Sequence, residues 1–151
     1  MWDELKGEVG VELRQMEQMC QRYGALLEKL RAGVPTEEEL LAAGAILQSF
    51  YNGVENVFRV VARHTGSLPE RESGWHVVLL GSMAQARPGR RAVISEGLKG
   101  ELAEYLAFRH VFRSAYTHVL GWEKMAPLVK GLAGTFEAFR RELTQFMDKL
   151  G

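Results

Sequence analysis

The sequence is poor in features that several classes of protein require. It has a single cysteine, so no internal disulfide can form, and this fits a reducing compartment. No apolar run approaches the roughly 20 residues that span a membrane. Acidic residues stand near the start, at Asp3, Glu4 and Glu8, where a signal peptide needs cationic and apolar ones. We therefore expect a cytoplasmic protein without a membrane partner.

An excess of charge of one sign is also missing. Lysine and arginine total 19, aspartate and glutamate total 19, and the formal net charge is zero. No overall field therefore attracts nucleic acid or an acidic membrane. Any affinity for RNA must come from a local cluster of cations.

The residues that support metal and nucleotide chemistry are sparse. The histidines lack the paired spacing of a zinc site, and no glycine-rich phosphate loop follows a predicted strand. We predict no metal and no cofactor. The thiol of Cys20, on the apolar side of a predicted helix, is interpreted as a buried structural group. The four histidines are His64, His76, His110 and His118.

Apolar residues recur every three or four positions through most of the chain, which predicts helices. Thr36 and Glu39 form a capping-box pattern, and Ser95 is the expected N-cap of a later helix. The length fits one domain covering residues 1–151. Because long helices with short connections favour bundles, we predict an all-α antiparallel up-and-down bundle of four long helices plus a short one. The predicted helices cover 2 to about 31, 36 to about 64, 75–85, 95 to about 116, and 122–150.

The second predicted helix has two distinct stripes. An unbroken apolar seam predicts its packing face, and the length of such seams suggests a homodimer. A polar stripe of Gln48, Asn52, Glu55 and Arg59 either faces solvent or lines a cleft. The seam consists of Leu40, Ala43, Leu47, Phe50, Val54, Val57 and Val61.

The most informative segment is 108–116, with the sequence FRHVFRSAY. Helical spacing places Arg109, Arg113 and Tyr116 on one stripe of an otherwise apolar segment. Two cations and a phenol are costly to bury without partners. We therefore expect this stripe to face solvent, a cleft or a second chain.

This segment resembles the signature of HEPN-type ribonucleases of the HepT toxin family. That signature is an arginine, a polar residue, three variable residues, a histidine, one variable residue and a tyrosine. Arg109, His110 and Tyr116 match it, whereas Ser114 stands at the histidine position. The resemblance also includes residues 49–56, 91–95 and 122–124, and extends from about residue 36 to the end.

The resemblance implies an HEPN-like helical bundle that dimerises around a shared cleft and cleaves RNA without a metal. It also implies a partner, a small MNT-type nucleotidyltransferase that acts as antitoxin. In some pairs this antitoxin adenylylates the motif tyrosine, which makes Tyr116 a candidate modification site. The alternative is that Tyr116 is a bundle residue with its hydroxyl at the rim.

The chemistry of such a site can be assigned only in part. Arg109 can bind phosphate through its planar fork, but Ser114 cannot exchange a proton near neutral pH as histidine does. Either His110 turns into the cleft as the base, or Arg113 and His118 form the working pair. In a purely structural interpretation, His118 caps the end of its helix.

Further residues are assigned by position. Asn52 and Glu55 are predicted to line the cleft. A loop with Arg87, Arg90 and Arg91 extends the phosphate-contacting surface if the chain binds RNA; otherwise these arginines are merely solvated.

Three functions remain open from the sequence, and whether the chain is an enzyme is open with them. The leading hypothesis is a HepT-like metal-independent ribonuclease toxin of a toxin–antitoxin pair, weakened by Ser114. The second is a non-catalytic HEPN module that binds, or is adenylylated by, a small nucleotidyltransferase. The third is a helical scaffold with no connection to nucleotides.

Overall fold

The computed structural model describes residues 1–114 and 121–151. These residues contain no β-strand, only an isolated antiparallel bridge between Arg87 and Arg90. The predicted all-α class is therefore confirmed. The described residues form six helices: α1 (Asp3–Arg22), α2 (Gly24–Ala32), α3 (Glu37–Thr65), α4 (Trp75–Met83), α5 (Glu96–Ser114) and α6 (Trp122–Asp148).

The prediction of a single first helix over residues 2 to about 31 was wrong. Tyr23 separates two helices, ending α1 and preceding α2, with φ −104° and ψ 16°. Its N–H still donates to the Met19 carbonyl at 3.1 Å, and its own carbonyl accepts from Leu27 at 3.0 Å. Gly24 follows directly, and glycine is a weak helix former, so the continuous apolar spacing did not reveal this interruption.

Helix α3 is the centre of the fold, in contact with all five other helices. The apolar seam predicted for it is confirmed, since all its members except the half-buried Leu40 are buried. The capping box is also confirmed: the Thr36 hydroxyl accepts from the Glu39 N–H at 3.1 Å, and the Glu39 carboxylate accepts from the Thr36 N–H at 2.9 Å. Gly66, with φ 68°, ends the helix.

Two glycines of α3 allow neighbouring helices to approach closely. A Cβ at Gly44 would overlap the ring of Phe112 on α5, with Cδ1 at 2.9 Å, and a Cβ at Gly53 would lie 2.7 Å from Cγ of Met16 on α1. Phe112 is one turn after Arg109, so the contact at Gly44 helps to set where Arg109 meets α3.

Helix α5 begins where the sequence indicated. The Ser95 hydroxyl accepts from the Leu98 N–H at 3.1 Å, which confirms Ser95 as the N-cap. The Ser95 main chain and hydroxyl both donate to the Glu142 carboxylate of α6, at 2.6 and 3.1 Å. This anion lies at the positive end of α5 and ties it to α6.

Within residues 1–114 and 121–151, no helix is both long enough and apolar enough to cross a lipid bilayer.

Candidate functional site

The centre of the candidate site is a buried arginine. Arg109 of α5 has 4% of its surface exposed and donates from Nη1 to Asn52 Oδ1 at 3.0 Å. It also donates to both oxygens of Glu55, from Nη1 to Oε1 at 3.4 Å and from Nη2 to Oε2 at 3.1 Å. The guanidinium carbon lies 4.9 Å from the ring centroid of Tyr51, a cation–π contact. The cation is therefore fixed by side chains from α3 on several sides.

The sequence left open whether the stripe of motif arginines faces solvent, a cleft or a second chain, and the structure gives its two arginines different surroundings. Arg113 is exposed, but Arg109 is buried and ion-paired. The reason is that Glu55 is 54 residues away in sequence and becomes its partner only when α5 packs on α3. With an anion available, burial of the guanidinium is no longer prohibitive.

Sequence reasoning missed a further member of this cluster, His76 of α4. Its Nδ1 lies 2.7 Å from Glu55 Oε2 and 3.1 Å from Arg109 Nη2. A carboxylate only accepts hydrogen bonds, so the short contact assigns the ring hydrogen to Nδ1, and the guanidinium and imidazole both donate to Oε2. In the neutral ring, this leaves the lone pair on the other nitrogen, Nε2.

An aromatic and cationic edge borders His76. The ring of Trp75 lies against the imidazole in a tilted arrangement, with 4.0 Å between centroids and 31° between planes. The guanidinium carbons of Arg59 and Arg71 lie 5.8 and 5.1 Å from the Trp75 ring centroid. These contacts, together with Glu55, restrict how the imidazole can turn.

The cluster opens onto a groove of about 900 Å³ between α4 and α5. Three residues assigned from the motif, Arg109, His110 and Arg113, line this groove together with His76. Asn52 and Glu55 contact the α3-facing side of Arg109 through the hydrogen bonds described above. Exposed apolar side chains, Val77 and Val111, complete the rim.

The arginine loop between α4 and α5 does not form one surface. Arg90 is buried and donates to the carbonyls of Gln85, Ser82 and Arg91 at 2.8, 3.0 and 3.2 Å. Burial lowers its pKa. The assignment of Arg90 to an RNA-contacting surface is therefore corrected: its fork stabilises the loop main chain. Arg87 and Arg91 are exposed, and Arg91 lines a separate groove beside α6.

Part of the motif lies beyond what the structure describes. Ser114 is the last residue of α5, whereas Tyr116 and His118 are outside the described residues. The roles predicted for these residues stay predictions.

A group of possible metal ligands lies away from this groove in the described part of the chain, at Glu4, Glu8 and His64. The Glu8 carboxylate already accepts from His64 Nε2 at 2.8 Å and from Arg63. These contacts lower the Glu8 pKa, and the hydrogen bond with His64 has the largest effect. The Arg63 guanidinium and the His64 imidazole already contact the carboxylate, so we assign no metal here.

A comparison with known protein families shows which family this chain belongs to. A family model described as HepT-like protein matches residues 42–150, well over half of the sequence. The chain therefore belongs to the HepT-like family of the HEPN superfamily, and the resemblance seen in the motif is confirmed. The matched region includes Glu55, His76 and Arg109. No curated protein and no solved structure gives a significant match.

Proposed function

We propose that this protein is a metal-independent endoribonuclease toxin that works as a homodimer and is controlled by an MNT-type nucleotidyltransferase antitoxin. One observation carries the proposal: Arg109, at the arginine position of the family motif, is fixed by Asn52 and Glu55 at the wall of a groove that also contains imidazoles. RNA cleavage needs a positioned cation and a group that exchanges protons near neutral pH. Both kinds of group line this groove.

The charges suggest how RNA enters. Glu55 offsets the charge of Arg109, so the exposed Arg113 is the first cation that an approaching phosphate meets. Arg109 then binds the scissile phosphate through the part of its fork that lines the groove. Arg87 and Arg91 extend the contact along the backbone of a longer RNA.

Exposed apolar residues support the proposed dimer. Val77 and Val78 of α4 and Val111 of α5 are 65%, 54% and 53% exposed. Two of them border the groove, so a second copy that covers them would also enclose the site. The variant Val77→Asp combined with Val111→Asp is expected to sediment as a monomer at concentrations where the wild type is a dimer. A wild type that stays monomeric at micromolar concentration contradicts the dimer.

Growth arrest on induced expression tests the toxin assignment. Wild-type protein is expected to stop growth, and Arg109→Ala and Arg113→Ala to abolish the arrest. Arg31→Ala, an exposed arginine of α2, is the matched control and should remain toxic. Normal growth with soluble wild-type protein would contradict the assignment.

A second function is favoured by one feature of the motif. Ser114 replaces the histidine, which supports a non-catalytic module that binds the nucleotidyltransferase or presents Tyr116 for adenylylation. Incubation with that partner and ATP, followed by mass spectrometry, distinguishes the two functions. An adenylyl group on Tyr116, without RNA cleavage by the unmodified protein, supports the module. Gain of cleavage only in Ser114→His supports it too.

A further inference from the structure

The proposed nuclease lacks a proton-transfer group at the expected place in its motif. A serine hydroxyl at position 114 cannot exchange a proton near neutral pH as an imidazole can. The imidazoles that line the groove, in the described part of the chain, belong to His76 and His110. We propose that His76 is the proton-transfer residue of this site and that Glu55 positions it, an inference that rests on the proposed ribonuclease function.

The geometry favours His76 because its orientation is fixed. Glu55 Oε2 holds Nδ1 at 2.7 Å, and the tilted Trp75 ring lies against the imidazole. Glu55 is itself held by Arg109 and is 7% exposed. A carboxylate that accepts from one ring nitrogen sets the tautomer in which the other nitrogen is the base. His110 also lines the groove and is an exposed residue of α5.

The same contacts place the base beside the phosphate-binding group. His76 Nδ1 and Arg109 Nη2 are 3.1 Å apart because both donate to Glu55 Oε2. A phosphodiester bound at the groove side of Arg109 therefore lies next to the imidazole. The His76 side chain is 33% exposed, so the adjoining ribose 2′-hydroxyl can reach its Nε2.

The proposed cleavage reaction needs only the RNA, His76, Arg109 and water. Nε2 takes the proton of the 2′-hydroxyl, O2′ forms a bond to phosphorus, and the bond from phosphorus to O5′ breaks. The leaving O5′ takes a proton from water, which gives a 2′,3′-cyclic phosphate and a 5′-hydroxyl end. The imidazolium then returns its proton to solvent. Arg109 stabilises the charge that builds on the phosphate oxygens.

The test uses the full-length protein, an RNA oligonucleotide and the same oligonucleotide with a 2′-deoxyribose at the cleaved position, all in EDTA. His76→Ala is expected to lower the cleavage rate at least about 100-fold with little change in RNA binding. Free imidazole should restore part of the rate in His76→Ala, because the truncated side chain leaves space in the groove. The deoxy-substituted oligonucleotide should resist cleavage at that position.

Two further variants separate catalysis from structure. His64→Ala is the matched control, since it also removes an imidazole paired with a carboxylate, at 2.8 Å, away from the groove; it should cleave at the wild-type rate. Glu55→Gln should lower kcat more than it raises KM. Glu55→Gln should lower the rate by a smaller factor in the His76→Ala background than in the wild type, because the part of its effect that acts through His76 is already lost.

The outcomes distinguish the two proposals. Cleavage by the wild type and equal cleavage by His76→Ala and His76→Gln would overturn the role of His76 and leave the ribonuclease in place. Loss of activity that imidazole does not restore, together with lower stability in urea, would assign His76 a structural role and also overturn it. Wild-type protein that does not cleave RNA overturns both proposals.

Discussion

Arg109 of α5 and Glu55 of α3 form a two-pronged ion pair, with 3.4 Å between Nη1 and Oε1 and 3.1 Å between Nη2 and Oε2. Both side chains are nearly buried, at 4% and 7% exposure. The pair joins two helices of the core and also positions His76, so the motif arginine has a structural role alongside the proposed catalytic one. Effects on folding and on RNA must therefore be measured separately.

The ion pair predicts a large cost for removing one partner. Arg109→Ala leaves the Glu55 carboxylate buried, with His76 as its remaining ion-pair partner among the described residues, and we expect a loss of about 3 kcal/mol in unfolding free energy. Urea unfolding measures this. The exposed pair of Arg140 and Glu137 supplies the control, since Arg140→Ala should cost less than about 1 kcal/mol. Equal effects of the two changes would contradict a buried, structural ion pair.

Two glycines of α3 and one of α5 predict different effects of the same substitution to alanine. Gly44→Ala should cost about 1–3 kcal/mol because its Cβ would overlap the Phe112 ring. Gly53→Ala should cost less, because the flexible Met16 side chain can shift. Gly100→Ala, in α5 with open space around its Cβ, should stabilise the protein by up to about 1 kcal/mol. Thermal unfolding of the three variants checks this order, and a stabilising Gly44→Ala would show that α5 does not pack on α3 as described.

Tyr105 predicts a loss of stability in alkali. Its hydroxyl donates to the Leu128 carbonyl at 2.7 Å, and burial raises its pKa to about 12. An unfolded tyrosine ionises near about pH 10, so above that the unfolded state releases a proton that the folded state keeps. The stabilisation is complete below about pH 10 and is lost as the pH rises toward about 12.

The variant Tyr105→Phe isolates this effect. The difference in unfolding free energy between wild type and variant should shrink by about 1 kcal/mol for each pH unit above about 10. Urea unfolding at about pH 9, 10 and 11 measures it. A difference that stays constant over this range would mean that the Tyr105 hydroxyl is not buried in the folded state.

Arg90 and Arg91, which are adjacent in the arginine loop, should differ in how much they contribute to stability. Arg90→Ala should cost about 2–3 kcal/mol, because the carbonyls of Ser82 and Gln85 lose their donors. Arg91→Ala, with an exposed side chain, should change stability by less than about 0.5 kcal/mol. If Arg91 contacts RNA as proposed, the same variant weakens binding and reduces its salt dependence. A larger loss of stability in Arg91→Ala than in Arg90→Ala would mean that the Arg90 side chain is exposed and does not hold the loop main chain.

Sequence patterns within a single helix predicted the features of the fold that depend on neighbouring residues alone. The seam of α3 follows from apolar spacing alone, and the capping box at Thr36 needs only residues three apart. The break at Tyr23 was missed because the apolar spacing continues through it. The overlap of Gly44 with Phe112 depends on helix packing, which spacing within one helix does not specify.

The candidate site was predicted less completely, for the same reason. Asn52, Glu55 and Arg109 were singled out separately, but their contact joins positions more than 50 residues apart. His76 was set aside because it has no metal-site spacing, and the short α4 helix around it is too apolar to mark one face. Its role follows only from the packing of α4 against α3 and α5.

The most direct test of the account is incubation of the purified protein with tRNA and total RNA in EDTA. We expect wild-type protein to cleave RNA, and Arg109→Lys, which keeps the charge but loses the two-pronged fork, to cleave far more slowly. Circular dichroism should show that both proteins are folded. Folded wild-type protein that leaves all RNA intact, or an Arg109→Lys variant as active as the wild type, would contradict the central claim that Arg109 organises a metal-independent ribonuclease site.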